Sequence, residues 1–525
     1  MLKADLAFSD LAAAPQWQND VLTLGESRIA PFFHAALEAL LVGGDGQWFV
    51  IVRERMADSD RRSAGRISNV ICADAEHYHR LYRECLLWPL DYVMIEVAPA
   101  GGRIRVRCGV FGTAPVYCQA DSDRLTISWD FADFLSRSLT VDAETASHYL
   151  ALNACYSARQ ICSGIVLLTE RSSFYVTREK AHYQYPDAAK TPEPLDRQND
   201  DDLQSFGELL RHSVSMRAVT PAQVALELSG GMDSASVACA LRAAHGPVAS
   251  RGILMNGTFR EAQIERRQRI VQRLGLRDES IEMDEFLPSL DLQPSENKKS
   301  YPRWEFYLEA FENLWDSARA QGCDLLFTGL GGDELFPKFR NEVHADGRGE
   351  NRMITEARRR AELLLTPRAR NAARSLRAFD APASPVPVSA LLAHACQTPY
   401  LLGRGFWPVN PLSDPSLAAF CHRLAPQNRH GRALMREYLQ THLGEEVFPH
   451  GYLKETFARV LPKLIVQQAQ TIAAQLRHCA LADLGLVDQR AALALLNEAA
   501  TTQAEGLTAP LANFLWLERF ARQIA

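Results

Sequence analysis

Residues 228–234 read Leu228-Ser229-Gly230-Gly231-Met232-Asp233-Ser234. The segment lies between an apolar strand, Val224-Ala225-Leu226-Glu227-Leu228, and an Ala-rich helix over 235–244. Two glycines let the backbone close on a polyphosphate, and the first N–H groups and dipole of the helix favour an anion there. The hydroxyls of Ser229 and Ser234 add donors for phosphate oxygens, and Asp233 offers a hard oxygen ligand for Mg2+. The Gly-Lys-Ser/Thr ending of a Walker A loop is missing, so this is a phosphate loop of another kind.

Outward from this loop, strands alternate with helices. A helix with Leu203, Phe206, Leu209, Leu210 and Val214 on one face precedes it. Ile253-Leu254-Met255 is a second strand, 264–274 a second helix and Asp324-Leu325-Leu326-Phe327 a third strand. That alternation predicts a parallel sheet with its ligand at the carboxyl ends of the strands. The third strand closes on a second Gly-rich turn, Thr328-Gly329-Leu330-Gly331-Gly332-Asp333-Glu334. Two acidic residues on neighbouring strand ends suit a metal ion that neutralises phosphate charge.

The first third reads differently. Tyr92–Val97, the alternating Arg103–Cys108, a hairpin over 115–129, Ile165-Val166-Leu167-Leu168 and Ser173-Phe174-Tyr175-Val176 predict an antiparallel sheet region with few helices. A Pro-rich polar stretch over 185–194 reads as a linker, so the expected domains are 1–195 and 196–525. The last hundred residues are Ala/Leu-rich and helical. Arg358, Arg359, Arg360, Arg368, Arg370, Arg374 and Arg377 form a basic stretch, read as a solvated face.

At 525 residues the chain is long for one core, and its 47% hydrophobic and 23% charged residues are those of a globular protein. A net charge of −6 supplies no basic field, which argues against a nucleic-acid partner. The chain has no apolar run of bilayer-spanning length and no signal-like start, so a cytoplasmic, membrane-free location is the expectation. Its eleven cysteines include no Cys-x-x-Cys pair and read as free, mostly buried thiols.

The Ser-Gly-Gly-x-Asp-Ser loop resembles that of the ATP pyrophosphatases, which cleave ATP to AMP and pyrophosphate while adenylating an oxygen. The segment 326–336 narrows the resemblance to asparagine synthetases and β-lactam synthetases. Val447–Phe457 is similar to the C-terminal segment of that family, and Trp407–Asp414 also looks like family sequence. The resemblance implies an α/β fold: a C-terminal parallel-sheet, adenine-nucleotide α-hydrolase-like synthetase domain with a degenerate N-terminal glutaminase-like α+β domain. It implies ATP and Mg2+ as cofactors, with Asp233 and Asp333 as metal ligands. It also implies ATP contacts from Leu228, Ser229, Gly230, Gly231, Asp233, Ser234, Met255, Thr328 and Gly329. Lys454 is the implied catalytic lysine, an ammonium for the anionic acyl-transfer transition state.

Three departures bear on the substrate. Asparagine synthetases begin Met-Cys and use that cysteine to hydrolyse glutamine, whereas position 2 here is Leu2. Leu330 stands where asparagine synthetases carry glutamate and β-lactam synthetases a tyrosine that helps deprotonate the amine. Gln263 stands where the family often has glutamate. An intact adenylating half without ammonia source or amine-side base resembles the lasso-peptide macrolactam synthetases. These join an Asp or Glu side chain of a precursor peptide to its N-terminal amine, beside a leader peptidase and a leader-binding protein. β-Lactam closure, ammonia-dependent amidation, a tRNA-modifying ATP pyrophosphatase and an inactive scaffold are the alternatives.

Overall fold

The computed structural model describes residues 1–44, 46–58, 67–72, 74–153, 156–190, 192–196, 198–294, 300–302, 307–337, 348–375, 381–449, 451–452 and 455–525. The N-terminal part is a sandwich of two seven-stranded sheets. In one, Leu2–Ala7 runs antiparallel between Arg124–Ser128 and Ser27–Pro31, with every second side chain buried. The alternation comes from the two-residue strand period acting on Leu2, Ala4 and Leu6. In the other sheet, Gln47–Glu54 is a nearly continuous apolar run because both of its faces are covered. Trp48, Val50 and Val52 meet the facing sheet. Phe49 and Ile51 pack with Tyr78 and Cys85 of the helix Ala75–Leu86.

The antiparallel expectation holds, with one exception: Ile67–Ile71 pairs parallel with Leu37–Gly44. Sequence patterning assigns nothing to residues 2–71, although seven strands lie there. Several of those strands are three to five residues long, too short to display a period.

The C-terminal part holds a five-stranded sheet, paired parallel throughout. Its order is Arg277–Glu282, Ala249–Leu254, Val224–Glu227, Leu325–Phe327, Trp407–Val409. This is a mixed α/β architecture of the adenine-nucleotide α-hydrolase-like kind. Val224, Ala225 and Leu226 are fully buried in the central strand, as expected when helices cover both faces. The two outer strands escape sequence patterning for physical reasons. Arg277–Glu282 is polar at every position but Ile281, and Trp407–Val409 is three residues with a proline, tolerated because it lies at the sheet edge. Chain order reverses between Val224–Glu227 and Leu325–Phe327, so a crevice opens at their carboxyl ends.

The sandwich is locked to the sheet through buried polar contacts. Glu54 accepts from Arg217 Nε at 2.7 Å and from Trp407 Nε1 at 3.0 Å. Burial pushes the Glu54 carboxyl pKa up, and the Arg217 charge works against that rise. The His34 ring bonds the Asp324 carbonyl oxygen at 2.9 Å. A second core gathers Phe131 and Phe134 with the helices Val460–Gln475, Gln489–Thr502 and Thr508–Ile524. Of the basic stretch, Arg359 and Arg360 pair with Glu356, Arg360 also reaches Glu498, and Arg370 bonds the Glu362 carbonyl. Among the described residues no helix is long and apolar enough to cross a membrane.

Candidate functional site

The loop after Val224–Glu227 turns on Gly230, whose φ of +93° lies in the left-handed region, and enters the helix Met232–His245 with Gly231 as its N-cap. The loop is cross-tied by its own serines. The Ser229 and Gly231 amides donate to Ser234 Oγ (3.2 Å) and Ser229 Oγ (3.1 Å), and Ser234 Oγ donates to the Gly231 carbonyl (3.2 Å). Fourteen residues of helix thus present an N-terminus to the crevice, a setting that favours anions.

The second Gly-rich turn packs directly onto the first. A Cβ on Gly329 would lie 2.8 Å from the Ser234 amide nitrogen, and one on Gly332 would lie 2.2 Å from Asp233 Oδ1. In the sequence these glycines read simply as marks of a second Gly-rich turn at a strand end. The structure adds that they allow two loops to touch, which brings Asp233 and Asp333 to one crevice. Thr328 orders the turn by donating to Asn410 Oδ1 at 2.6 Å and accepting from the Leu330 amide at 3.1 Å. The family-like stretch after Trp407 therefore serves as the buttress of the second turn.

Arg432 is a site residue that sequence reasoning misses. It precedes the helix Ala433–Leu443 and has φ of +57°, a conformation costing a non-glycine residue roughly 1–3 kcal/mol. Its guanidinium reaches both carboxylates, donating from Nη1 to Asp233 Oδ1 at 2.7 Å and from Nη2 to Asp333 Oδ1. Burial works against its charge, but Asp233 and Asp333 more than offset that and hold its pKa above the ordinary value. A lone arginine 199 residues from Asp233 and 99 from Asp333 carries no motif that sequence could flag.

Gln263 has a structural explanation. Its Nε2 donates to the carbonyls of Ser229 (2.9 Å) and Ile253 (3.0 Å), and its Oε1 accepts from the Met255 amide (2.8 Å). One buried amide therefore fixes the Ser229–Ser234 loop against the end of the second strand. Arg266 donates to the Gly230 carbonyl at 3.2 Å, pairs with Glu455 and lies over the Tyr452 ring.

These parts surround a cavity of about 380 Å3. It is lined by Leu228, Ser229, Gly231, Asp233, Ser234, Met255, Thr328, Gly329 and Asp333, with Gly230 between two of them in the chain. Every expected nucleotide and metal residue is thus brought to one place. Lys454 lies outside the described residues, while Glu455, Thr456 and Phe457 line the cavity. Leu330 lines it too and offers no polar atom from its side chain. The volume lies within the range of small-molecule sites.

The donor set fits Mg2+. Two carboxylates that already share a cationic partner are hard oxygen ligands, and this ion commonly binds through one or two carboxylates plus substrate phosphates. Among the described residues no three His, Cys, Asp or Glu side chains gather into a metal cage. The corner of the sandwich holding Leu2 is packed: Leu2 is 2% exposed, within the core between the sheets.

No curated protein matches the chain. Residues 205–395, which contain both Gly-rich turns, match the family model described as asparagine synthase, and this supports an asparagine synthetase-like segment and, in general terms, ATP-dependent amide-bond ligation.

Proposed function

We propose that this chain closes an amide ring within a peptide. An Asp or Glu side-chain carboxylate of a precursor attacks the α-phosphorus of ATP and expels pyrophosphate. The N-terminal amine of the same peptide then attacks the acyl-adenylate, losing a proton and releasing AMP. The loop N–H groups with Ser229 and Ser234 bind phosphates, and Leu228, Met255, Thr328 and Gly329 complete the nucleotide contacts. Asp233 and Asp333 hold Mg2+, which when bound neutralises phosphate charge. Lys454 supplies an ammonium to the developing anion. Residues 196–525 form the synthetase domain in this reading, and residues 1–195 a glutaminase-like scaffold without its nucleophile.

The observation that carries the reading is Leu330 on the wall of the nucleotide cavity. An apolar side chain there removes the proton acceptor that an ammonia- or β-lactam-forming relative places on this turn. Leu2, buried in the sandwich core, supports it by offering no thiolate for glutamine hydrolysis. A peptide amine delivered intramolecularly depends less on a dedicated base, since positioning alone supplies up to ~7–11 kcal/mol in well-oriented cases. A leader peptidase and a leader-binding protein are the expected partners, in the cytoplasm.

The test is mass spectrometry of a precursor peptide incubated with this protein, its peptidase partner and ATP. Loss of one water, with fragmentation blocked across the ring, is expected. A β-lactam returned from a small β-amino acid, or amidation that requires free ammonia, overturns the reading.

A further inference from the structure

We propose that Arg432 is the built-in counter-cation of the metal site: it clasps Asp233 and Asp333 in the nucleotide-free chain, and the two carboxylates exchange it for Mg2+ when the nucleotide arrives. The inference rests on the reading of Asp233 and Asp333 as the metal-binding pair.

The geometry carries it. One guanidinium spans two carboxylates from different strand ends, and the atom of Asp233 that it bonds, Oδ1, is the one against which Gly332 is packed. Arg432 adopts a left-handed backbone conformation that arginine does not favour, next to Gly431 with φ of +58°. The side chain is 17% exposed, so its charge is committed to this contact rather than to solvent.

Two carboxylates drawn together by packed glycine turns repel each other, and a cation between them relieves the repulsion. Mg2+ demands near-ideal octahedral oxygen geometry. The guanidinium on Asp233 Oδ1 takes up a lone pair of that oxygen and places a like charge beside any metal ion that approaches it. The two cations are alternatives at this place. The partners are also unequal: the Asp233 side chain is 13% exposed and Asp333 64%, so the Asp333 arm is the one with room to open. The exchange would preorganise the empty site and bar free metal from it until phosphates add their own ligands.

The probe is Mn2+ alone, followed by electron paramagnetic resonance without nucleotide on the full chain. Wild type should bind it weakly. Arg432→Gln should bind roughly tenfold tighter or more, since a like charge has left the site. The same variant should unfold at lower temperature in EDTA and recover on adding Mn2+, whereas wild type should not respond. Should Arg432→Gln fail to fold, Arg432→Lys decides: its single-point charge lacks the two-armed fork, so Mn2+ should again bind more tightly than in wild type. Equal Mn2+ affinity in wild type and the folded variant overturns the exchange. Adding Asp233→Asn to the Arg432 variant should abolish the tight site. If tight binding persists, the metal reading of Asp233 fails instead, and the two failures are told apart without any turnover.

Discussion

Gly332→Ala tests whether contact between the two glycine turns is what assembles the site. The added methyl would stand 2.2 Å from Asp233 Oδ1, 2.5 Å from its Cγ and 2.8 Å from its Cβ, whereas ordinary contact begins at 3.4 Å. Clearing the nearest atom requires about 1.2 Å of movement (3.4 − 2.2). The turn has little slack, because Gly329 abuts the Ser234 amide and Gly331 abuts Ser413 and Leu412. The movable group is the Asp233 carboxylate itself, which would swing off Arg432. Overpacking of this kind costs ~1–3 kcal/mol in stability, and a 1 Å misplacement at a reacting site can cost ~10²-fold in rate. Pyrophosphate release under saturating peptide and ATP measures the rate, and urea unfolding the stability. Gly403→Ala, where a Cβ meets nothing within 4 Å, is the control and should behave as wild type. A Gly332→Ala enzyme within twofold of wild type, with unchanged unfolding, would refute the reasoning.

Asp233→Asn should lower pyrophosphate release by ~3–4 kcal/mol of barrier, the scale of other lost electrostatic stabilisers, and wild-type release in this variant contradicts its role. Lys454→Ala should abolish product while leaving Tm nearly unchanged; a large loss of stability with activity retained would point to a structural lysine. Arg217→Met should destabilise by ~3–5 kcal/mol because Glu54 is left buried without its cation, and Glu54→Gln added to it should restore much of that in urea titrations. Failure of the double variant to recover shows that the packing of Arg217, not its charge, matters. His394 is kept neutral by burial, with its pKa lowered to about 4 from 6.5. Its contribution is complete above pH 6.5 and fades as pH falls toward 4, because the unfolded chain takes up the proton first. About 2 kcal/mol should disappear between pH 7 and 5, and His394→Gln should flatten that stretch of the stability profile. Incubation with glutamine and ATP should yield no glutamate, and enzymatic release of it would reveal another thiol doing the work for which Leu2 is unfit.

The Ser229–Ser234 loop was legible because the role proposed for it restricts residue choice: a left-handed turn needs Gly230, and a hard metal ligand would need an acid such as Asp233. Val224–Leu226 and Leu325–Phe327 were legible because burial on both faces leaves them uniformly apolar, whereas Ala249–Leu254, which buries Ser250 and Arg251, was legible only at its Ile253-Leu254 end. Elsewhere the determinants were not local. Arg432 acts through side-chain reach across the crevice, and nothing in its neighbours His430-Gly431 or Ala433-Leu434 announces a partner. Gln263 read only as a departure from the glutamate that the family often has, until its three backbone bonds gave it a holding role. Several strands before Ile71 are only three to five residues long, and Arg277–Glu282 is mostly polar, so neither displays the hydrophobic period on which strand reading depends.

The central pairing of the parallel sheet also bears on how the protein comes into being. Val224 lies opposite Leu325, a hundred and one positions further along the chain (325 − 224), and Trp407 joins beyond that. Contacts of such separation require loop-closure entropy to be spent before they return any stabilisation, so they form slowly. A growing chain that has emerged only as far as Leu274 already possesses the Ser229–Ser234 loop but has neither the facing turn nor Arg432. Nucleotide protection measured during refolding or synthesis would therefore lag behind secondary structure and report the moment at which the sheet is closed.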